Sequence, residues 1–219
     1  KLFYRPAGVA AEKIAAEKCG IIKNGGTVIT TSEQNENAIS VIKDTVKEKN
    51  GRLLIGDVSA AEILSEDIFG TEISYNGLTV KIPLVGRHQV ENTVGVITAA
   101  RALGISDEFI KKGIESTVIH ARMEIISRSP VIMLDGGHNP ECAAALENVL
   151  VRFAGDKSIT VLIGMMADKD TKDYLAAILP YCKTAVFTKP SNPRAEDETE
   201  LLREGECFCR DVVSVKDPK

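Results

Sequence analysis

The residues best suited to chemistry lie in the stretch 134–140, which reads Leu-Asp-Gly-Gly-His-Asn-Pro. A run of β-forming residues precedes it, and Asn139 followed by Pro140 is a typical start of an α-helix. The pattern predicts a strand, a tight turn and a helix. Asp135 and His138 would then lie at the carboxyl edge of a sheet, where open α/β folds bind ligands. The helix N-terminus would also offer N–H groups to a phosphate or carboxylate. An ordinary βα turn has the same features, so this stretch alone leaves both interpretations open.

Charged residues in this stretch and in two other segments could bind the ribose and the phosphates of a nucleotide. Asp135 could accept the two hydroxyls of a ribose, as acidic residues do in nucleotide-binding folds. Arg122 lies near an expected domain boundary, where a guanidinium could hold a phosphate through two hydrogen bonds. Residues 165–170, Met-Met-Ala-Asp-Lys-Asp, follow a predicted strand on the same edge. Their charges could line a cleft or only solvate a loop, and a surface arginine is the common alternative for Arg122.

A polar cluster, residues 86–92, opens an otherwise apolar helix. Gln89 and Asn92 are one turn apart and can face the same way. A side-chain amide has both a donor and an acceptor, which suits the edge of an adenine, although capping of the helix explains the same residues. Lys18 stands late in another predicted helix beside Glu17, where a lysine is ordinarily a solvated charge.

Composition narrows the class of protein. The 219 residues suggest one or two domains, and 44% hydrophobic with 26% charged residues is ordinary for a globular protein. A net charge of -4 gives no indication of a nucleic-acid or polybasic membrane surface. Five cysteines and three histidines disfavour a zinc site and favour reduced thiols in the cytoplasm. Neither Gly-x-Gly-x-x-Gly nor a P-loop motif is present, which disfavours a dinucleotide dehydrogenase.

Up to about residue 120 the sequence mixes helical and strand patterns. In the first helix Ile14 is expected to face inward. Ser59 with Glu62 predicts a capping box and a short helix. Asn76-Gly77 predicts a β-hairpin, because this dipeptide favours the tight turn between alternating strands. Helices are also predicted over 35–49, from Val90 to Leu103 and from Ser106 onward, and strands over 27–31 and 53–55.

After about residue 120 strands and helices alternate regularly, which is typical of a doubly wound α/β sheet. The boundary between two domains is therefore placed near His120. The predicted strands are 131–135, 159–163, 184–188 and 207–215, and the predicted helices are 140–153, 171–179 and 196–203.

Five segments, taken in this order, resemble folylpolyglutamate synthases, which are often bifunctional as dihydrofolate synthases, within the Mur ligase superfamily. They cover almost all of residues 8–203 and are 14–23, 84–92, 121–124, 134–140 and 164–170. The resemblance implies an α/β protein in two parts. Residues 1–119 would be the C-terminal part of a Mur-ligase-type ATPase domain, with a small hairpin near 71–82. Residues 120–219 would be a Rossmann-like, doubly wound C-terminal glutamate-ligase domain, truncated at its end.

The resemblance also implies an activity. The enzyme would join L-glutamate to tetrahydrofolate through an amide bond, with ATP and Mg²⁺ and an acyl-phosphate intermediate, and as a bifunctional member of the family it would also make dihydrofolate. It would be cytoplasmic and monomeric and would bind small molecules rather than nucleic acid or membranes.

Roles follow from the resemblance, position by position. Asn92 would contact adenine, Arg122 phosphate and Asp135 the ribose, while His138 would place glutamate or the reacting phosphate. Lys18 matches a lysine that is carbamylated in this family and that supports the metal site; no metal ligand is otherwise assigned.

The family's P-loop and first metal-binding segment are expected upstream of residue 1, and its metal-binding histidine has no counterpart in residues 1–6. The sequence is therefore expected to be a fragment that is inactive alone. Two alternatives are kept: another Mur-type amino-acid ligase of cell-wall synthesis, and a non-catalytic nucleotide-binding remnant.

Overall fold

The computed structural model describes residues 8–155 and 157–216. The expectation about residues 1–6 lies outside the described residues. The chain forms two compact units, which divide between Ile119 and His120. Among the described residues no helix is both long and apolar enough to cross a bilayer.

The first unit contains two small sheets and four helices in its described part. Its elements in chain order are α1 (Gly8–Cys19), β1 (Thr27–Thr31), α2 (Glu36–Glu48), β2 (Arg52–Gly56), β3 (Ala61–Asp67), β4 (Gly70–Tyr75), β5 (Leu78–Ile82), α3 (Arg87–Ala102) and α4 (Asp107–Glu115).

Helix α3 connects the two sheets of this unit. β1 and β2 are parallel, with α2 as the crossover between them, and β3, β4 and β5 form an antiparallel meander. α3 contacts both sheets. Its residues Val90, Val94 and Ile97 are fully buried in a core that also takes side chains from β4 and β5. Because this core fixes α3, it also fixes the polar residues at the N-terminal end of the helix.

The predicted hairpin is confirmed. Asn76 and Gly77 have φ values of 47° and 83°, the left-handed backbone that a two-residue hairpin turn needs, and Tyr75 pairs with Leu78. β3, which the sequence did not indicate, adds a third strand to the hairpin.

Two local predictions in this unit are wrong. Ile14 is 51% exposed, and the buried stripe of α1 is Ala11, Ala15 and Cys19, small residues that face α2. Ser59 does not cap a helix, because its hydroxyl donates to Asp57, whose carboxylate caps a short 3₁₀ turn. The chain then enters β3, so hydrophobic pattern alone misjudged which face was buried and which element followed.

The second unit is built on a parallel sheet. Its elements are β6 (Glu124–Arg128), β7 (Val131–Leu134), α5 (Pro140–Phe153), β8 (Thr160–Ile163), α6 (Thr171–Ile178), β9 (Thr184–Thr188), α7 (Glu198–Gly205) and β10 (Asp211–Val215). The sheet order is β10-β9-β8, with α6 and α7 as crossovers. Phe187, Leu175, Leu179 and Leu201 are fully buried in its core. This is the predicted α/β alternation.

One strand is placed differently from the prediction. The strand predicted over 131–135 was expected to continue the parallel sheet. Instead β7 pairs antiparallel with β6, an element not predicted, and Glu124 lies opposite Leu134. A short apolar run shows that a strand exists but not which strand it pairs with. The turn after β7 is therefore not displayed on the edge of the β8–β10 sheet.

Replacing Gly205 with alanine should destabilise the second unit. A Cβ there would meet the Phe187 ring, at 2.7 Å from Cε2 and closer still to Cζ, and that ring is fully buried. We expect Gly205→Ala to lower the free energy of unfolding by about 1–3 kcal/mol, the usual cost of overpacking. Urea unfolding followed by circular dichroism measures it.

Gly113→Ala is the matched control, because no atom lies within 4 Å of the added Cβ in α4. It should leave stability unchanged or raise it by roughly 0.5–1 kcal/mol. Equal effects of the two substitutions would contradict the packing argument.

Candidate functional site

The carboxylate of Asp135 organises the turn that follows β7. Its Oδ2 accepts the backbone N–H of Met123 at 2.9 Å, and its Oδ1 accepts that of Gly137 at 2.8 Å. The N–H of Gly136 in turn donates to the carbonyl of Ala121 at 2.8 Å. The turn and the loop before β6 are therefore joined by three hydrogen bonds.

Gly137 is required at its position by close packing. A Cβ there would lie 2.5 Å from Oδ1 of Asp135 and 2.7 Å from Cβ of Cys142. Any side chain at residue 137 would push apart the carboxylate and the first turn of α5.

The start of α5 is capped as predicted. Oδ1 of Asn139 accepts the N–H of Cys142 at 2.8 Å, and Pro140 is the first helical residue. The exposed His138 precedes the cap, and its Nδ1 donates to the carbonyl of Gly136 at 3.1 Å. That bond fixes the proton on Nδ1 and leaves Nε2 to face a ligand.

Arg122 is presented by a strained loop. Its neighbours Ala121 and Met123 have φ values of 54° and 48°, left-handed conformations that few non-glycine residues adopt. Oε2 of Glu124 accepts the N–H of Ala121 at 2.9 Å and Oε1 contacts Nδ1 of His120 at 2.9 Å. These contacts hold the pKa of Glu124 below its usual value. Strain of this kind clusters at functional sites, and here it flanks an exposed arginine.

Tyr174 on α6 lies close enough to the turn for the charge of Asp135 to affect the pKa of Tyr174. Its side chain is 8% exposed, and burial raises its pKa from 10.0 to about 12. Electrostatic interactions with Asp135 and Cys142 also raise the pKa of Tyr174. α6 therefore packs beside the turn that carries Asp135.

Two loops follow the carboxyl ends of β8 and β9, and we call residues 164–170 and 189–197 the paired loops. Met166 and Ala195 form an antiparallel bridge. The N–H of Ala167 donates to the carbonyl of Arg194, and that of Glu196 to the carbonyl of Met165, both at 2.9 Å. The two loops thus hold each other in place.

Charges within the paired loops also interact. Oδ2 of Asp168 accepts a hydrogen bond from Nη2 of Arg194 at 2.8 Å and lies 3.5 Å from Nζ of Lys169. Desolvation alone would raise the pKa of Asp168, but these cations hold it below its usual value.

In the first unit, three side chains form a chain of hydrogen bonds at the start of α3. Nδ2 of Asn92 donates to Oε1 of Gln89 at 3.3 Å, and Nε2 of Gln89 lies 3.0 Å from Nε2 of His88. The predicted common face of Gln89 and Asn92 is confirmed. Gln89 is only 8% exposed and Asn92 is exposed, so Asn92 is the amide that can still reach a ligand. Gly86, with φ of 108°, lies directly against the His88 ring.

Lys18 is an exposed residue of α1 that flanks the buried stripe formed by Ala15 and Cys19. Its ammonium is therefore accessible, as a carbamylated lysine would need to be before modification. Among residues 8–155 and 157–216, no group of three or more His, Cys, Asp or Glu side chains could hold a metal ion.

The structure brings some predicted residues together. Arg122, Asp135 and His138 are joined through the backbone of one turn and one loop, whereas Asn92 and Lys18 lie in the other unit. Sequence reasoning missed further residues that shape these sites: His88, Glu124, Tyr174 and Arg194. The position of His88 beside Gln89 was a usable signal, but Arg194 lies 26 residues from Asp168 and had none.

Comparisons with known proteins agree with these features. A family model described as Mur ligase, glutamate ligase domain, matches residues 121–219. A probable bifunctional folylpolyglutamate synthase/dihydropteroate synthase of Halobacterium salinarum is 31% identical over 95% of the chain, which covers 26% of that protein. The dihydrofolate synthase/folylpolyglutamate synthase of Bacillus subtilis is 29% identical, over 89% of the chain and 48% of that protein.

Solved structures give the same result. The crystal structure of folylpolyglutamate synthase from Thermotoga maritima matches with a TM-score of 0.83 and 26% identity, over 94% of this chain and 51% of that one. Escherichia coli FolC in complex with DHPP and ADP matches with a TM-score of 0.75 and 25% identity, over 94% and 48%. The predicted fold class and the resemblance are confirmed, and this chain spans about half or less of each of these four proteins.

Replacing Asp135 with alanine should loosen the turn. The N–H groups of Met123 and Gly137 would lose their acceptors, which costs about 1–3 kcal/mol for groups shielded from water and less where water can reach them. We expect hydrogen exchange at both amides to accelerate at least about tenfold. In Asp67→Ala, where the lost carboxylate accepts the nearby N–H of Phe69 in the other unit, exchange at Met123 and Gly137 should not change. Unchanged exchange in Asp135→Ala would exclude the anchoring role.

Titration of Tyr174 gives the chain a stability loss in alkali. The folded state holds this proton up to a pKa of about 12, whereas the unfolded chain releases it near 10.0. The stabilising difference is therefore complete below pH 10 and disappears as the pH rises to about 12, a loss of about 2–3 kcal/mol. Urea unfolding at several pH values should show this loss, and Tyr174→Phe should remove it. An equal loss in the variant would show that Tyr174 is not the group responsible.

Proposed function

We propose that this chain is part of an ATP-dependent amide ligase that adds L-glutamate to tetrahydrofolate. The first support is that residues 121–219 belong to the glutamate ligase domain family of Mur ligases. The observation that carries the proposal is the turn anchored by Asp135, which holds Arg122 and His138 on one framework inside that domain. The relatives named as folylpolyglutamate or dihydrofolate synthases favour a folate over a cell-wall precursor.

The reaction has two steps. A folate carboxylate attacks the γ-phosphate of ATP, so that an acyl phosphate forms and ADP leaves. The amine of glutamate then attacks the acyl carbon and releases phosphate, and an amide bond remains. Positioning and neutralisation of phosphate charge supply most of the acceleration in such reactions.

The residues of the second unit suit these demands. Arg122 offers an exposed guanidinium without a hydrogen bond or ion pair among the described residues, which leaves its donors available for phosphate. Asp135 has used one acceptor position on each oxygen, and each oxygen has a second one for a ribose hydroxyl. His138 would contact glutamate or the transferred phosphate through Nε2.

The residues of the first unit have separate roles. Asn92 would contact the adenine with the amide that faces solvent. Lys18 would be carbamylated, which converts a cation into an anion able to support a metal ion. The magnesium ion itself is not assigned to residues, because the described side chains form no ligand cluster. Bound ADP in the E. coli relative supports nucleotide binding.

The organisation of the protein is part of the proposal. Residues 1–119 correspond to the C-terminal part of the ATPase domain and residues 120–219 to the glutamate-ligase domain. The protein acts in the cytoplasm as a monomer on small molecules and has no nucleic-acid or membrane partner.

Phosphate release by the full-length protein tests the function. ATP, Mg²⁺, glutamate and tetrahydrofolate are supplied together and then omitted one at a time. We expect release only when both folate and glutamate are present. Phosphate release that does not require folate but requires a cell-wall precursor would show that the substrate is that precursor and not folate. No release with any acceptor would favour the non-catalytic remnant.

Arg122→Ala should remove ligation without unfolding the protein. The loss of one charge-stabilising donor typically costs about 10²–10³-fold in turnover. Since Arg122 is exposed, stability should change by less than about 0.5 kcal/mol. Arg210→Ala, a second exposed arginine, is the matched control and should keep full turnover. Normal turnover in Arg122→Ala would take Arg122 out of the site.

A further inference from the structure

Asp168 stands between two cations that compete for the same oxygen. Nη2 of Arg194 is 2.8 Å from Oδ2 of Asp168, whereas Nζ of Lys169 is 3.5 Å from it. The shorter contact is a hydrogen bond and the longer one is only an ion pair. The carboxylate is therefore held by Arg194, and Lys169 has donors to spare.

We propose that Arg194 is a positioning residue: by holding Asp168, it leaves the ammonium of Lys169 free to bind an anionic oxygen of a substrate. The inference rests on the proposed ligase function, whose substrates carry such groups as the carboxylates of glutamate and of folate and the phosphates of ATP.

The backbone around Arg194 is fixed, so the Arg194 side chain projects from a defined position. The carbonyl of Arg194 accepts the N–H of Ala167 at 2.9 Å, and its own N–H donates to Oδ1 of Asn192 at 2.9 Å. The bridge between Met166 and Ala195 lies beside these bonds. The Arg194 side chain can therefore be changed while the paired loops keep their backbone contacts.

Lys169 is placed where an anion would be favoured. The backbone N–H of Lys169 donates to the carbonyl of Met166 at 3.1 Å, and the next residue, Asp170, is the N-cap of α6. The carboxylate of Asp170 already caps that helix by accepting the N–H of Asp173 at 3.3 Å, so the attraction for an anion comes from the Lys169 ammonium itself. Its side chain is 30% exposed, which is enough for contact with a ligand.

Stability is a weak explanation for the Arg194–Asp168 pair. The two side chains are 69% and 48% exposed, and ion pairs in such positions contribute little to folding. Arg203 and Glu200 on α7 form a similar pair, at 2.6 Å and with 70% and 52% exposure, but no second cation within the described part of the chain forms an ion pair with the Glu200 carboxylate. Arg203 is therefore the matched control.

Without Arg194, Asp168 would turn to Lys169 and tie up its ammonium. In the full-length protein we expect Arg194→Ala to raise KM about tenfold with a smaller change in kcat. A rise in KM for glutamate or for folate identifies a carboxylate of that substrate as the bound group, and a rise in KM for ATP identifies a phosphate. Arg194→Lys should recover part of the loss, and Arg203→Ala should behave as wild type.

The double variant separates this mechanism from a structural one. Adding Asp168→Asn to Arg194→Ala removes the competing charge, so KM should return to within about threefold of the wild type. A double variant no better than Arg194→Ala, or a single variant with the KM values for glutamate, folate and ATP all unchanged, would overturn the inference.

A second measurement does not depend on ligation. The rate at which acetic anhydride labels Lys169, followed by mass spectrometry, reports whether its ammonium is paired. It should fall several-fold in Arg194→Ala and recover in the double variant. Equal labelling in all three proteins would overturn the positioning role. The expected labelling pattern in a protein without folate-dependent phosphate release would support that role and reject only the ligase.

Discussion

The carboxylate of Asp135 is the contact on which the arrangement of the second unit's candidate site depends. It joins Met123, twelve residues earlier, to Gly137, two residues later. These bonds fix the backbone position from which the Arg122 side chain projects. They also fix the backbone position of His138 and the start of α5. The left-handed residues on either side of Arg122 each carry a strain of about 1–2 kcal/mol. Hydrogen bonds to Asp135 and Glu124 offset that strain and hold the loop in this conformation.

This anchoring role is compatible with the binding of a ligand by the same side chain. An ionised carboxylate has about four acceptor positions, and the backbone occupies two of them. Each oxygen is already oriented by its N–H donor, so a ribose would meet groups that need no further ordering. The proposed ligand contact thus benefits from the structural one, because the entropy of fixing the carboxylate is already lost on folding.

Local signals in the sequence predicted local structure well. The cap at Asn139, the hairpin at Asn76-Gly77 and the alternation after residue 120 depend on neighbours within a few residues. Pairings between distant segments were not predictable in the same way. β6 was missed, and β7 was assigned to the wrong sheet, because a four-residue apolar strand pairs equally well with several partners. The prediction that Ile14 faces inward was wrong for a related reason: small residues of α1, and not its largest apolar residue, face α2.

The candidate site divides along the same line. Asp135, His138, Gln89 and Asn92 could be found because each belongs to a short motif at the start of a helix. The contacts between the paired loops could not be found, since they join residues far apart in sequence, as Arg194 and Asp168 do across 26 positions. A sequence shows that an arginine, a lysine and an aspartate exist, but the pairing of two loop backbones decides which cation the carboxylate holds. The fold therefore decides which cation donates the hydrogen bond to Asp168, and Arg194 leaves Lys169 only the longer ion pair.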